Sequence, residues 1–185
     1  MKSITFFDVE TPNARNDKIC AIGIIRTDLS GRIEYKKYNI VNPECGFDPK
    51  NIQIHGITPH MVIAAPTFNC LWDLELRDVF TDTLLIAHNV SFDLLVLIKT
   101  LNYYHRQVPS LYCDCTLKLS RDYLPNLRGY GLSTICSQLG FPPFRHHDAY
   151  EDTNACKELF FYLERKYGIL PTCGHSFCIE RKDNG

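Results

Sequence analysis

Three stretches of this chain set acidic side chains among apolar ones: Phe7-Asp8-Val9-Glu10-Thr11, His88-Asn89-Val90-Ser91-Phe92-Asp93 and His147-Asp148-Ala149-Tyr150-Glu151-Asp152. In an extended strand side chains alternate, so Ile4, Phe6, Asp8 and Glu10 share a face and two acids continue an apolar row. A strand that simply leaves the core would show the same pattern with solvated ends. Asp93 stands in the first turn of a predicted helix, where the macrodipole alone favours an acid, yet it shares a face with Leu97 and Leu101 and so points inward. Asp152 precedes Ala155 and Cys156 on the buried stripe of the last helix, away from the polar face of Lys157, Glu158 and Arg165. Glu151 falls off that stripe and is expected in solvent.

If these acids converge, two of them at ~5 Å repel by about 3 kcal/mol at an effective dielectric near 20. The three stretches contain no Lys or Arg, which leaves a metal ion as the compensating charge. An all-oxygen donor set prefers Mg²⁺ or Mn²⁺ to zinc. Two of the stretches also place His five residues before Asp, His88 with Asp93 and His147 with Asp152; with seven His and 13 Asp in the chain, chance produces about half of one such pair. A neutral imidazole takes a proton near neutral pH, so His147 is a candidate general base, the alternative being a local helix cap. His146 is its rival, but the residue five after it is Glu151, on the wrong face.

The elements that must position these groups follow from apolar period and punctuation. Residues 3–9 are apolar on both faces, a central strand covered on both sides. Residues 18–27 and 32–41 flank a turn at 28–31 and form an antiparallel hairpin. Pro43, Gly46, Pro49, Gly56 and Pro59 make residues 42–59 an ordered loop. A helix is expected over 67–80, a strand over 84–87, and a helix capped by Ser91 to about Tyr104. A strand over 111–115, short helices over 116–123 and 132–139, and a final helix capped by Asp148 and ending near Gly168 complete the pattern.

At 185 residues and 21.3 kDa with 45% hydrophobic residues, the chain fits one domain over 1–168 plus a tail, 169–185, and excludes a disordered or fibrous protein. A net charge of -1 provides no general attraction for a polyanion, so a nucleic-acid partner must be met by a local patch or a bound cation. No apolar run reaches the length of a membrane span. Nine cysteines, an odd number and mostly in apolar segments, read as reduced thiols in a cytoplasmic protein, with no membrane partner.

The three stretches, in order and separation, resemble the exonuclease motifs of the DEDDh family, which includes the proofreading subunit of bacterial replicative DNA polymerase, ribonuclease T and oligoribonuclease. Ile54-His55-Gly56-Ile57-Thr58, Asp114-Cys115-Thr116-Leu117 and Tyr130-Gly131-Leu132 add to the likeness, which covers about residues 3–167. The resemblance implies a ribonuclease-H-like α/β fold, with a mixed central sheet that opens as an antiparallel meander and is flanked by helices; residues 1–168 would be the exonuclease domain. It implies that Asp8, Glu10 and Asp152 hold two Mg²⁺ or Mn²⁺ ions directly, with Asp93 acting directly or through water. His147 would deprotonate the attacking water. Thr11 and Phe92 would lie near the terminal nucleotide, and His55 and Ile57 near its base.

The expected activity is 3′-to-5′ hydrolysis of single-stranded DNA ends to nucleoside monophosphates. An exoribonuclease for short RNA and a non-catalytic 3′-end-binding subunit are the alternatives, and a polymerase or other nucleic-acid-processing complex acting in trans is a candidate partner. Lys118, Arg121, Arg128 and Arg145 are candidate backbone contacts or plain surface charges. Outside the core, Cys173, His175 and Cys178 offer three soft ligands at irregular spacing, which fits an incidental cysteine-rich terminus better than a zinc site.

Overall fold

The computed structural model describes residues 2–169 and the backbone of 177–179. Its centre is strand β1 (Ser3–Glu10), which pairs antiparallel with β2 (Ala21–Asp28) and parallel with β4 (Leu84–Ala87). β3 (Ile33–Ile40) closes the hairpin on β2, β5 (Leu111–Cys115) lies parallel to β4, and the short β6 (Phe177–Ile179) adds antiparallel to β5. The order is therefore β3-β2-β1-β4-β5-β6, the mixed sheet with an opening meander that the sequence predicts. Cys173 and His175 lie outside the described residues, and Cys178 enters only through the β6 backbone.

Alternation along β1 divides the core in two. Phe7 and Val9 face one layer, built on α5 (Val90–Tyr103) and the helical run of α3 (Phe68–Leu71), a π-helical turn (Trp72–Leu76) and α4 (Arg77–Phe80). Ile4 and Phe6 face the other, made of α6 (Thr116–Tyr123), α7 (Leu132–Gln138) and α8 (Ala149–Tyr167). Phe6 meets Phe160 edge-on at 5.6 Å and Phe7 meets Phe80 at 5.2 Å. Both rings are fully buried, which makes each worth roughly 3–5 kcal/mol against truncation to Ala. A strand covered on both faces can expose a side chain only at its end, and that end carries Asp8 and Glu10.

The segment 42–59 departs from its expectation. It holds α1 (Pro49–His55), with Pro49 at the first helical turn and Gly56 at the C-cap with φ 76°, and α2 (Pro59–Val62) follows at once. Proline and glycine there frame helices rather than interrupt a loop, because proline costs nothing at a helix start and glycine takes the left-handed turn that ends one. The start of α5 also differs. Its N-cap is Asn89, left-handed at φ 72°, and Ser91 lies inside the first turn. On α8, Lys157 is buried rather than on a polar face, its ammonium reaching Glu158 at 2.9 Å while its stem packs inward.

One glycine decides how close α8 comes to the sheet. Gly23 pairs with Asp8 in the β1–β2 register, and a Cβ there would sit 2.1 Å from the carbonyl oxygen of Ala149, the first residue of α8. Backbone against backbone has no flexible side chain to yield. Gly23→Ala is expected to cost ~3 kcal/mol of stability, read by denaturant unfolding with the single, buried Trp72 as reporter.

Candidate active site

The carboxyl ends of the parallel strands β1 and β4 open into one pocket lined by Asp8, Glu10, Thr11, Phe92, Asp93 and Asp152 among others. Crevices beyond the carboxyl ends of strands are where open α/β sheets place their ligands. Asp8 and Glu10 stand on the Phe6 side of β1, toward α8, which delivers Asp152 from its first turn. An oxygen from each of Asp8, Glu10 and Asp152 lies within 4.8 Å of the others. Asp93 comes from the opposite layer and reaches round the strand end, where its Oδ1 accepts the Val9 backbone N–H at 3.2 Å. It lines the same pocket without belonging to the three-carboxylate cluster.

These acids pay for their position with a shifted proton affinity. Burial, then the charges of Asp152 and Asp93, pushes Glu10 up to about 8. Burial likewise pushes Asp93 up to about 8, although the Val9 N–H works against it. Asp8 is also raised, by burial first and then by Asp93, Glu10 and Asp152. Among the described residues lining the pocket, Lys50 is the one Lys or Arg, and it is exposed. Clustered hard oxygens that lack a matching ammonium or guanidinium fit a divalent cation of the Mg²⁺ or Mn²⁺ class.

The imidazoles divide by role. His88 is held between Thr116 Oγ1 at 3.0 Å and the Tyr130 carbonyl at 2.9 Å, and burial pushes it down to about 4, so it is neutral and structural. The Ile57 N–H donates to His55 Nδ1 at 2.9 Å, which leaves Nε2–H to donate to the Thr11 carbonyl at 3.2 Å. Both nitrogens of His55 are thereby used. His147 is exposed at the pocket mouth, in the left-handed region at φ 64°, with its amide donating to Asp152 Oδ2 at 2.8 Å. Partial burial and the neighbouring His146 lower its pKa, so it is a neutral acceptor at pH 7.

The sequence profile of the exonuclease family (RNase_T) matches residues 5–160. The chain belongs to this exonuclease family. It is 30% identical to DNA polymerase III subunit epsilon of Aquifex aeolicus, with 96% of this chain and 88% of that protein aligned. It is 31% identical to the PolC-type DNA polymerase III of Oceanobacillus iheyensis over 86% of this chain but only 11% of that protein, so it spans a small part of the length of such relatives. Its fold is that of solved exonucleases: the nuclease domain of 3′hExo, a DEDDh family member, bound to rAMP superposes with a TM-score of 0.76 at 17% identity over 98% of both chains. Exonuclease X in complex with 5′ overhanging duplex DNA gives 0.73 at 22% identity, over 93% of this chain and 96% of that one.

Within this exonuclease fold, two features escape sequence inspection. His146 is one: its Nδ1 lies 2.7 Å from Asp152 Oδ1 and its ring stacks on His147 at 3.9 Å. Helical spacing excludes it only if the helix extends back that far, and α8 begins at Ala149. The other is α1, whose Asn51 and His55, one turn apart, both grip the Thr11 carbonyl, with Asn51 Nδ2 at 2.9 Å. That helix also moves the apolar wall. Ile57 is only 4% exposed and packs with Cys20, Ala21 and Val62, whereas Ile54, at 45%, lines the carboxylate pocket. Asp152 is buried as expected, but Glu151, expected in solvent, is part-buried. Among the basic residues, Arg145 is engaged by Asp148 and Arg121 lies over the Tyr130 ring at 5.9 Å. Among the described residues no helix is long and apolar enough to cross a membrane.

Glu10 carries a consequence for stability. Its folded value of about 8 exceeds the ordinary 4.5, so the folded protein holds a proton that the unfolded chain releases, and stability falls as pH rises through that window. Metal-free wild type should therefore lose stability relative to Glu10→Gln between about pH 5 and pH 8, by on the order of a few kcal/mol. Mn²⁺ should restore the wild type at the upper pH and stabilise the variant less; parallel denaturation curves at the two pH values check this.

Proposed function

We propose that the protein is a metal-dependent 3′-to-5′ exonuclease that removes nucleoside monophosphates from single-stranded DNA ends. The observation that carries this is the meeting of Asp8, Glu10 and Asp152 oxygens within 4.8 Å at the end of a sheet whose family is exonucleolytic. Asp8, Glu10 and Asp152 would hold two divalent ions, with Asp93 directly or through water. When bound, such ions neutralise the scissile phosphate and the leaving 3′ oxygen and make water a usable nucleophile.

The chain's own residues do the rest. His147, neutral and open to solvent at the mouth, takes the proton of the attacking water on its imidazole nitrogen and releases it to bulk solvent. Its left-handed backbone, tied to Asp152 Oδ2, keeps the ring beside the carboxylates. Phe92, 37% exposed on the pocket wall, offers a face for a terminal base or sugar, and the exposed Ile54 adds a second apolar side chain to the same lining. Thr11, held by Asn51 and His55, presents the strand's end to the terminal nucleotide.

DNA is favoured over RNA because the Aquifex aeolicus relative aligned over most of both chains is a DNA polymerase III subunit. The same likeness supports a polymerase acting in trans as partner. End-labelled single-stranded DNA should be shortened from its 3′ end with Mg²⁺ or Mn²⁺ and not with EDTA, and matched RNA should be shortened more slowly. Shortening of RNA alone would reverse the substrate assignment. Asp8→Ala should abolish cleavage while the protein stays folded and binds the strand. His147→Ala should lower kcat by roughly 10²–10⁴-fold with KM little changed, and an undiminished rate in either variant defeats the site assignment.

A further inference from the structure

The carboxylate pocket has a second donor set on its rim. His146, His147 and Asp152 each offer one ligand atom within 4.8 Å of the others. Unlike the Asp8, Glu10 and Asp152 cluster, this set contains two nitrogens and one oxygen. His146 Nδ1 already lies 2.7 Å from Asp152 Oδ1, and the His147 amide fixes the other carboxylate oxygen at 2.8 Å. The two imidazole rings stack with their centroids 3.9 Å apart. Both histidines are exposed and Asp152 is buried, so an ion would arrive from solvent and meet a preformed arc of donors. The nearby Arg145 guanidinium is turned to Asp148.

We propose that His146, His147 and Asp152 form an inhibitory site for a borderline divalent ion of the zinc class. Two imidazoles and a carboxylate are a preferred zinc set, with the fourth tetrahedral position left to water, whereas Mg²⁺ and Mn²⁺ favour the oxygen cluster. An ion there replaces the proton shared by His146 and Asp152, occupies the lone pair that His147 needs as a base, and draws Asp152 away from the oxygen cluster. The binding half of this inference is independent of the nuclease reading; the inhibition half rests on it.

Co²⁺, a spectroscopic stand-in for zinc, separates the two halves when added to the full chain stripped of metal. Wild type should develop the strong visible bands of a tetrahedral nitrogen–oxygen site, bleached by Zn²⁺. His146→Gln should weaken that binding by about tenfold or more, and Glu10→Gln should retain it. In Mg²⁺-supported cleavage of labelled single-stranded DNA, Zn²⁺ should inhibit wild type, and His146→Gln, scored against its own zinc-free rate, should need about tenfold more. Weak six-coordinate bands, a near-ultraviolet thiolate band marking cysteine capture, or bands that survive in His146→Gln but vanish in Glu10→Gln each overturn the site. Bands as expected in a protein that cleaves no strand would leave the site standing and defeat the nuclease reading. Normal cleavage with equal zinc sensitivity in both proteins would leave the nuclease reading standing and defeat the inhibitory role of the site.

Discussion

Carboxylates from two layers of the protein are held together against their own repulsion, and much of the fold is arranged around that constraint. Two unit charges at 4.8 Å oppose each other by roughly 3 kcal/mol at an effective dielectric near 20, before any cost of desolvation. The described structure answers with backbone N–H groups from Val9 and His147 and with the His146 ring. The two backbone N–H groups orient single oxygens but carry no full positive charge. The remaining imbalance appears as the upward shifts at Asp8, Glu10 and Asp93. A site held in this way gains from binding a divalent cation, whose charge would offset the repulsion.

Rigidity around the pocket has an identifiable source. β1 is sandwiched by two aromatic-rich layers, so Asp8 and Glu10 project from a strand that cannot slide without inverting Phe6 and Phe7. α8 is drawn onto β2 over Gly23, which brings Asp152 to the level of Asp8. α1 holds Thr11 through two side chains one turn apart. Each side chain of the pocket is therefore fixed by an element whose own packing lies elsewhere, and remote substitutions can act on the chemistry by moving that element.

The histidines show how one residue type serves different ends. His88 and His55 have both nitrogens engaged and join loops as neutral struts. His146 and His147 are exposed, stacked and aimed at a carboxylate. Burial drives His88 down to about 4, which removes it from acid–base work at neutral pH, whereas His147 is open to solvent beside Asp152.

What the amino-acid order determined by itself is local and periodic. Alternation placed Asp8 and Glu10 on one face of β1, and helical spacing turned Asp93 and Asp152 inward; three motifs in register then made the family recognisable. These inferences hold because period and burial are properties of a single element. Whether the acids meet depended on strand order, on α8 crossing over Gly23 and on α5 reaching round the strand end, contacts between residues some 80 to 150 positions apart. The helix at Pro49–His55, the exchange of Ile57 for Ile54 on the pocket wall and the part of His146 lay equally outside the sequence pattern. Each arises where a loop or a helix end takes a path set by packing against another element, which carries no period of its own.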